Sequence, residues 1–394
     1  MPRSAEFDIV VYGASGFTGR LVAEYVAQRY GVGGDLKWAM AGRDEAKLAQ
    51  VRDEIGAPAE TPLIVADTDD AASLKAMVGR ARAVITTVGP YQLYGEPLVA
   101  ACVAAGADYL DLCGEPAWMR LMIDRYDAQA RETGARILFS CGFDSIPFEL
   151  GVWFLQETAR ASLGGTVPRV LGRVRKMQGG FSGGTAASLK ATMAAAAQDP
   201  GVMELLRDPF ALTPGFSGPK QPHGMAPAFD EPLDAWAAPF VMAAINTRNV
   251  HRSNALLDHA YGQGFVYDEM ISTGPGEQGE AIAKAIATAP SPLAGEGGPK
   301  PGEGPSKTDR ENGFYDILFL GLAEDGRQVR VAVAGDRDPG YGSTSRMIAE
   351  TAVCLLHDDA GVRGGLWTPA AALGRPLIDR LVTNAGLTFE VESA

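Results

Sequence analysis

The sequence is poor in the residues that build metal sites and disulfide frameworks. Its 394 residues include four cysteines and four histidines, and no two cysteines have the Cys-x-x-Cys spacing. The histidines form no metal-ligand pattern with them, so we predict no metal and no zinc-dependent chemistry. Widely spaced cysteines favour buried free thiols in a reducing compartment, and we expect a cytoplasmic protein.

Long apolar runs and an excess of positive charge are also missing. No run reaches the ~18 apolar residues that a membrane span needs, so we expect no transmembrane segment. The 35 Lys and Arg against 48 Asp and Glu give a net charge of −13, which repels phosphate backbones and argues against nucleic acid as a partner. No tyrosine is followed by lysine four positions later, so the proton-donating pair of short-chain dehydrogenases is absent.

What the chain does have is the composition of a folded protein with more than one domain. Hydrophobic residues make up 46% and charged residues 21%, as in folded globular proteins, and the length exceeds what one core usually serves. Short apolar runs alternate with helical stretches in the N-terminal third, which predicts a doubly wound parallel sheet. We predict strands at 8–12, 37–41, 62–66, 83–87, 109–112 and 136–140, and helices at 16–30, 44–55, 97–105 and 118–133.

A glycine-rich segment follows the first predicted strand and precedes the first predicted helix. Its glycines are spaced Gly-x-x-Gly-x-x-Gly. Glycine allows a tight turn and a close approach of phosphate, while the amides and dipole of the helix N-terminus attract a pyrophosphate. We therefore predict a Rossmann-type dinucleotide site rather than a structural turn. Its residues are Gly13, Ser15, Gly16, Phe17, Thr18 and Gly19.

The end of the second predicted strand indicates which dinucleotide binds. NAD enzymes place an acidic residue there against the ribose 2′-hydroxyl, whereas this chain has Arg43. A guanidinium holds a 2′-phosphate with two parallel hydrogen bonds, so Arg43 favours NADP(H), unless it only balances Asp44 or Glu45. Asp67, after the third strand, could accept a hydrogen bond from adenine or cap the next helix.

Two further segments follow strands at the carboxyl edge of the sheet, where open α/β folds bind ligands. The loop after the fourth strand should border the nicotinamide through Thr87, Val88, Gly89 and Pro90. Tyr91, the next residue, could donate a proton or simply pack. After the sixth strand, Asp144 and Ser145 could join the site or cap the helix that begins near Pro147.

The second half of the chain predicts an α+β domain with an antiparallel sheet. Residues 313–322 and 328–334 are predicted to be two strands joined across the turn at 324–326, which indicates a hairpin. In the second strand Val329, Val331 and Val333 alternate with Gln328, Arg330 and Ala332. The glycine-rich stretch 179–185 could bind an anionic substrate group at a helix N-terminus or only pack closely. Residues 290–305 are rich in Gly and Pro and should form an exposed loop. The helical pattern of 343–357 should return to the first domain.

Domain boundaries and one charged cluster complete the prediction. We place the NADP-binding Rossmann domain at 1–147, the α+β substrate domain at 148–338, and a C-terminal segment that returns to the Rossmann domain at 339–394. Arg248, His251 and Arg252 would share one helix face. They could form a basic patch for a phosphopantetheine arm, or they could make surface ion pairs.

Seven segments spread over most of the chain form a recognisable set. They are 7–19 (FDIVVYGASGFTG), 86–91 (TTVGPY), 141–147 (CGFDSIP), 246–248 (NTR), 252–256 (RSNAL), 300–306 (KPGEGPS) and 366–372 (LWTPAAA). The set resembles the saccharopine dehydrogenase-like oxidoreductases, in particular the trans-acting enoyl reductases of actinobacterial lipid synthesis. The resemblance implies an NADPH-dependent reductase of a carbon–carbon double bond in a thioester carried by a polyketide synthase.

The proton for such a reduction would come from Tyr91 or Asp144, near the nicotinamide. Two alternatives stay open at this point. One is oxidation or reduction of a carbon–nitrogen bond in an amino acid, which would need arginines for two substrate carboxylates. The other is a sensor or scaffold that binds NADPH without turnover. The oligomeric state is open as well, with a homodimer as one option.

Overall fold

The computed structural model describes residues 5–180, 182–290, 302–358 and 361–393. Within these ranges the chain forms an α/β fold around two seven-stranded sheets. The strands are β1 (Phe7–Tyr12), β2 (Trp38–Gly42), β3 (Leu63–Val65), β4 (Ala81–Thr86), β5 (Asp108–Leu110), β6 (Arg136–Leu138), β7 (Arg169–Gln178), β8 (Ala228–Asp230), β9 (Ala235–Pro239), β10 (Val266–Gly274), β11 (Phe314–Leu322), β12 (Gln328–Gly335), β13 (Gly365–Trp367) and β14 (Leu387–Glu392).

The described helices surround these sheets, and five of the α-helices begin with Pro at the first or second helical position, where its missing N–H costs nothing. They are α1 (Phe17–Tyr30), α2 (Glu45–Glu54), α3 (Ala71–Gly79), α4 (Tyr91–Tyr94), α5 (Glu96–Ala105), α6 (Pro116–Thr133), α7 (Ile146–Leu163), α8 (Gly183–Gln198), α9 (Pro200–Arg207), α10 (Ala243–Leu256), α11 (Gly276–Thr288), α12 (Lys307–Asn312), α13 (Thr344–His357) and α14 (Pro369–Asn384). A π-helical turn, Pro339–Ser343, precedes α13.

The first sheet is wholly parallel and runs in the order β13-β6-β5-β4-β1-β2-β3. Both of its faces are buried, since Ile9 and Val11 of β1 belong to one hydrophobic core while Val10 and Tyr12 belong to the other. Such double burial explains why the strands are continuous apolar runs rather than alternating ones. The predicted doubly wound fold is confirmed, and all six predicted strands occur within a few residues of their predicted bounds.

Helix α3, which packs beside the first sheet, and strand β13 of that sheet were not assigned bounds from the sequence. Helix α3 follows β3 and is capped by Asp70, whose side chain accepts from the amides of Ala72 and Ser73. Strand β13 comes from the C-terminal part of the chain and pairs in parallel with β6, from Gly365 opposite Arg136 to Trp367 opposite Leu138. Three residues carry too little pattern to identify a strand, so pairing with a distant edge decides it.

The second sheet has the order β14-β12-β11-β7-β10-β9-β8 and is mixed rather than purely antiparallel. The predicted hairpin is β11 and β12, which pair antiparallel from Leu322 opposite Gln328 onward. Strands β7 and β10 were not predicted, and they run parallel to each other, which makes the sheet mixed. Between β7 and β10 the chain forms helices α8 to α10. A long connection of this kind is a crossover, and it brings the next strand back parallel to the first one.

The C-terminal part of the chain contacts both sheets. Helix α13 packs against α1 and β4, while α14 packs against α7 and α13. Strand β13 ends the first sheet and β14 ends the second. The boundaries at residues 147 and 338 remain a prediction. No helix in the described ranges is long and apolar enough to cross a membrane.

Candidate active site

The glycine turn after β1 has the shape that a pyrophosphate needs. Gly13 adopts a φ of +86°, a conformation that glycine takes without steric cost. A Cβ on Gly19 would lie 2.1 Å from the carbonyl oxygen of Gly13, so α1 can approach the turn only with glycine there. Helix α1 begins at Phe17 with no side-chain N-cap, which leaves its first amides to bind an anion.

The other predicted residues of this turn surround the same helix start. Gly16 is the exposed N-cap of α1. Ser15 lies beside the end of β2, because a Cβ on Gly42 would meet its Oγ at 3.5 Å. Thr18 lines the cavity described below. The turn therefore lies against the end of β2 through Ser15 and reaches the cavity through Thr18.

Arg43 lies immediately after β2, at the same edge of the sheet, and is exposed. Asp44 is engaged elsewhere, since it caps α2 by accepting from the amide of Lys47 at 3.0 Å. Arg43 makes no ion pair with any residue in the described ranges. The alternative of charge balance with Asp44 or Glu45 is thus not seen, and contact of the guanidinium with a 2′-phosphate stays a prediction.

Asp67 lies at the end of β3 and does not cap α3, which Asp70 does. Its carboxylate accepts from the amide of Asp69 at 3.1 Å and forms a local turn. Burial, together with the charge of Asp67, raises the pKa of the Tyr12 hydroxyl to about 12, and Arg43 opposes this effect. Tyr12, Arg43 and Asp67 therefore share one corner of the sheet edge, where an adenosine would lie. Contact of Asp67 with adenine stays a prediction.

The loop after β4 rests on the glycine turn. The Thr87 amide donates to the carbonyl of Tyr12 at 3.1 Å, and a Cβ on Gly13 would lie 2.9 Å from Thr87 Oγ1 and 2.8 Å from Val88 Cγ2. Gly89 and Pro90 continue the loop through a cis peptide bond. Thr87 and Gly89 line the cavity, as expected for a loop that borders the nicotinamide.

A cavity of about 460 Å³ opens beside these loops. The first half of the chain contributes Thr18, Thr87, Gly89, Tyr91, Glu115 and Asp144 to its wall. Residues from 177 onward contribute Met177, Leu189, Met193, Leu206, Phe240 and Tyr341, among others. Of the described lining residues, the charged ones are Glu115, Asp144 and Arg248. An apolar wall with few charges suits a hydrocarbon substrate.

Asp144 lies at the tip of the turn between β6 and α7 and lines the cavity. Burial raises its pKa from 3.8 to about 7, so a large fraction carries a proton at neutral pH. The helix-capping alternative is not seen, since Ser145 precedes α7 and makes no side-chain cap. The hydroxyl of Ser145 instead accepts from Asn249 Nδ2 at 2.8 Å. A protonated carboxyl in a cleft is the usual form of a general acid.

Tyr91 also lines the cavity, but main-chain groups occupy its hydroxyl. Oη donates to the carbonyl of Thr86 at 3.3 Å and accepts from the amide of Leu112 at 3.1 Å. Burial and the nearby Asp111 raise the pKa of Tyr91. These contacts fit the packing role that we left open better than proton donation, and they make Asp144 the stronger of the two predicted acids.

Three residues at the cofactor end were not predicted. The ring of Tyr341 meets Phe17 edge-on with 5.2 Å between centroids. A Cβ on Gly304 would lie 2.4 Å from Phe17 Cε1, and the Arg310 guanidinium lies 5.6 Å from the Phe17 ring centroid. The only sequence indication was the resemblance of segment 300–306, of which 302–306 are described. Residues 291–301 of the predicted loop lie outside the described ranges.

The predicted anion site at 179–185 is partly occupied by the protein itself. The Ser182 amide donates to Tyr341 Oη, and the Gly183 amide donates to the carbonyl of Glu303 at 3.3 Å. Gly180 and Thr185 line the cavity, whereas Phe181 lies outside the described residues. The close-packing alternative therefore accounts for this stretch better than anion binding does.

The predicted surface patch of Arg248, His251 and Arg252 is wrong, because all three are buried on α10. Arg252 donates to the carbonyls of Leu212 and Leu366, each at 2.7 Å, and Arg248 donates to main-chain carbonyls as well. Burial lowers the pKa of His251 to about 3, so it is neutral. The two arginines tie α10 to α9, to the turn at Leu212 and to β13, and the three side chains form neither an exposed patch nor surface ion pairs.

Comparisons with known proteins define the class. Residues 9–138 match the family described as the saccharopine dehydrogenase NADP binding domain. The fold is similar to saccharopine dehydrogenase (L-Glu forming) from Saccharomyces cerevisiae, with a TM-score of 0.54 and 12% identity over 98% of this chain and 100% of that chain. It is also similar to homospermidine synthase from Legionella pneumophila in complex with NAD, with a TM-score of 0.53, 9% identity and 98% and 92% coverage.

The chain is therefore an NADP-dependent oxidoreductase with a saccharopine dehydrogenase-like fold. It is 43% identical to a Mycobacterium tuberculosis protein named as a candidate trans-acting enoyl reductase, over 98% of this chain and 97% of the relative. It is 39% identical to a trans-acting enoyl reductase of Mycobacterium bovis, over 96% of each. The chain belongs to the trans-acting enoyl reductase family, and the predicted enzyme class and cofactor are confirmed.

Proposed function

We propose that the protein uses NADPH to reduce the carbon–carbon double bond of an enoyl thioester in lipid or polyketide synthesis. The observation that carries the proposal is an apolar cavity next to the dinucleotide turn with one uncompensated acid, Asp144, on its wall. An enoyl group needs a hydride at one carbon and a proton at the next, so a hydride donor and one acid suffice.

The cofactor end of the cavity fits NADPH. The first amides of α1 would bind the pyrophosphate and the exposed Arg43 the 2′-phosphate. Thr87 and Gly89, which line the cavity, would border the nicotinamide. When bound there, NADPH would supply the hydride that the β-carbon of the enoyl group needs.

Asp144 supplies the proton in this proposal. The protonated carboxyl donates to the α-carbon of the substrate, and the resulting carboxylate regains its proton from water. The thioester oxygen, which gains negative charge during reduction, needs a hydrogen-bond donor. Tyr341 is placed for this role, because Oη accepts from the Ser182 amide and lies 3.0 Å from Thr185 Oγ1. If Thr185 is the donor of that pair, the Tyr341 proton is left for the substrate.

The wall of the cavity favours an acyl chain over an amino acid. Two substrate carboxylates would need cations, and Arg248, whose guanidinium is bound to the carbonyls of Ala244 and Leu206, is the one arginine among the described lining residues. Apolar side chains such as Leu189, Met193 and Phe240 instead match a hydrocarbon. A carbon–nitrogen substrate of the saccharopine type is therefore a poorer match.

We extend the proposal to partners and location. The acyl substrate would arrive on a carrier, with a polyketide synthase as the source. The relatives are named trans-acting enoyl reductases, which supports a substrate that comes from another protein. The described cysteines are buried and form no disulfide within the described ranges, in keeping with the cytoplasm. A homodimer is the oligomeric form that light scattering should test first.

The test is NADPH oxidation, followed optically, with 2-enoyl thioesters on coenzyme A and on carrier protein. 2-Oxoglutarate plus lysine serves as the competing substrate pair, and NADH as the competing cofactor. Oxidation with an enoyl thioester that is strong with NADPH and weak with NADH supports the proposal. Oxidation only with the keto acid and amine would move the protein to carbon–nitrogen chemistry. Tight NADPH binding without turnover on any acceptor would favour a sensor.

A further inference from the structure

We propose that Asp111 is a positioning residue: its buried carboxyl holds Ser140 in a left-handed backbone conformation and thereby sets the turn that presents Asp144 to the cavity. The proposal rests on the role of Asp144 as the acid. Asp111 is not among the described residues that line the cavity, so it can act on the reaction only through other residues. Neither the family match nor the names of the relatives assign it a role.

The Asp111 carboxyl ties together the loops after β5 and β6. One oxygen, Oδ1, accepts from the amides of Cys113 at 2.9 Å and Ser140 at 3.0 Å. The other, Oδ2, accepts from Tyr109 Oη at 2.9 Å. The main chain adds a bond from the Cys141 amide to the Asp111 carbonyl at 2.7 Å. Asp111 is fully buried, so no water competes for these donors.

Ser140 is the residue whose conformation needs this support. It is fully buried and has a φ of +59°, which residues with a Cβ adopt only when their surroundings impose it. Its amide points to Asp111, while its hydroxyl donates to the Cys113 carbonyl at 2.6 Å. Without the Asp111 carboxyl the amide would be buried and unpaired, and an ordinary negative φ would become the better solution.

The conformation of Ser140 determines the path of the turn that follows. The Ser140 carbonyl accepts from the Ser145 amide at 3.3 Å, and the Gly142 carbonyl accepts from the Ile146 amide at 2.8 Å. Asp144 lies between these closures and makes no side-chain hydrogen bond in the described part of the chain. Its position therefore depends on the backbone alone. A change at Ser140 would rotate the whole turn and move the carboxyl.

Glycine provides a specific test, because it adopts a positive φ without support. Asp111→Ala removes the acceptor, whereas Asp111→Asn keeps an oxygen for both amides. If Asp111 acts by holding Ser140, then Ser140→Gly should rescue Asp111→Ala. A residue that only fills the core would gain nothing from that second change. The single Ser140→Gly variant supplies the reference value for the double variant.

The first readout is independent of any substrate. Carbon-13 NMR of the aspartate carboxyls, with the Asp144 resonance assigned from Asp144→Asn, should give a midpoint near pH 7 in the unaltered protein. The titratable and charged groups around that carboxyl are Tyr91, Cys113, Glu115, Arg248 and Tyr341. We expect Asp111→Ala to move the midpoint toward the ordinary 3.8, since a displaced carboxyl meets water. The Asn variant and the rescued double variant should stay near 7.

The second readout is turnover of an enoyl thioester. Asp111→Ala should lower kcat by about 100-fold, as expected for an acid displaced by about 1 Å, while the Kd for NADPH stays the same. The matched control is Glu269→Ala, because Glu269 is another fully buried carboxyl with a tyrosine donor, Tyr267 at 2.9 Å. That control should lower stability without moving the Asp144 midpoint.

Two results would overturn the proposal: an unchanged Asp144 midpoint in folded Asp111→Ala, or no recovery in the double variant. If Asp111→Ala fails to fold, Ser140→Val with Asp111 intact tests the same backbone conformation, since a β-branched residue disfavours positive φ. An unchanged midpoint there counts against the proposal equally. If the unaltered protein reduces no enoyl thioester but the midpoint shifts as expected, the positioning role stands and the proposed function fails.

Discussion

The two sides of the carboxyl sheet edge are built on different principles. On the cofactor side, the geometry comes from the main chain of one short segment, in which Gly13 and Gly19 leave no room for a side chain. On the substrate side, it comes from side chains far apart in sequence, such as Asp144 and Tyr341. Substitutions should therefore act through steric exclusion on the first side and through chemistry and pH on the second.

The largest effect is expected from Gly19→Ala on the cofactor side. A Cβ there would lie 2.1 Å from the Gly13 carbonyl oxygen. The start of α1 would therefore have to move away from the glycine turn. We expect saturable NADPH binding and turnover to be lost together, measured by the fluorescence of bound NADPH and by its oxidation.

Gly79→Ala is the matched control, because a Cβ at this helical glycine would meet nothing within 4 Å. It should bind NADPH normally and be slightly more stable, since alanine favours helix. Normal NADPH binding by folded Gly19→Ala would show that the turn is not the pyrophosphate site.

The second prediction concerns the substrate side. Asp144→Asn cannot donate the proton, so kcat should fall by about 100-fold or more while the Kd for NADPH stays unchanged. In the unaltered protein, kcat should fall as the pH rises above about 7, because deprotonation of Asp144 removes the acid. A pH profile of kcat checks both points. A profile that is flat between pH 6 and pH 8, or a fully active Asn variant, would exclude Asp144 as the proton donor.

The same contrast explains how much could be predicted from the sequence. The positions of the glycine turn, Arg43 and the ends of β4 and β6 at the sheet edge could be predicted because each depends on a few consecutive residues after an apolar run, whereas their roles in binding stay predictions. The contact of Gly304 with Phe17 has no local pattern, and β13 is too short to show one. Asp144 could be predicted by its position after a strand, but its raised pKa depends on walls contributed by the second half of the chain.

Arg248, His251 and Arg252 show a different limit of sequence analysis. Charged residues on one helix face usually indicate a solvated surface. Here the carbonyls of Leu206 in α9, Leu212 in a turn and Leu366 in β13 accept from the two guanidinium groups. Such carbonyls become partners only when the whole chain is folded. Local pattern therefore predicts the cofactor side well and the substrate side poorly.

The third prediction tests cofactor choice. Arg43→Ala should raise the Kd for NADPH by about 10- to 100-fold, the worth of a charge-assisted contact, and leave the Kd for NADH unchanged. Lys47→Ala removes a positive charge from the same exposed stretch and should alter neither value by a comparable factor. Equal weakening of NADPH and NADH by Arg43→Ala would place the guanidinium away from the 2′-phosphate.

The smallest effect should come from Gly304→Ala, which tests whether the second half of the chain shapes the cofactor side at all. Its Cβ would lie 2.4 Å from Phe17 Cε1, and the ring, held by Tyr341 on another side, would have to shift at the start of α1. We expect a few-fold rise in the Kd for NADPH and NADH alike, because the disturbed amides face the shared pyrophosphate. Gly165→Ala, where a Cβ would meet nothing within 4 Å, should change neither Kd. If Gly304→Ala behaves like that control in a titration with both cofactors, the cofactor side depends on local sequence alone, and the contrast between the two sides becomes sharper.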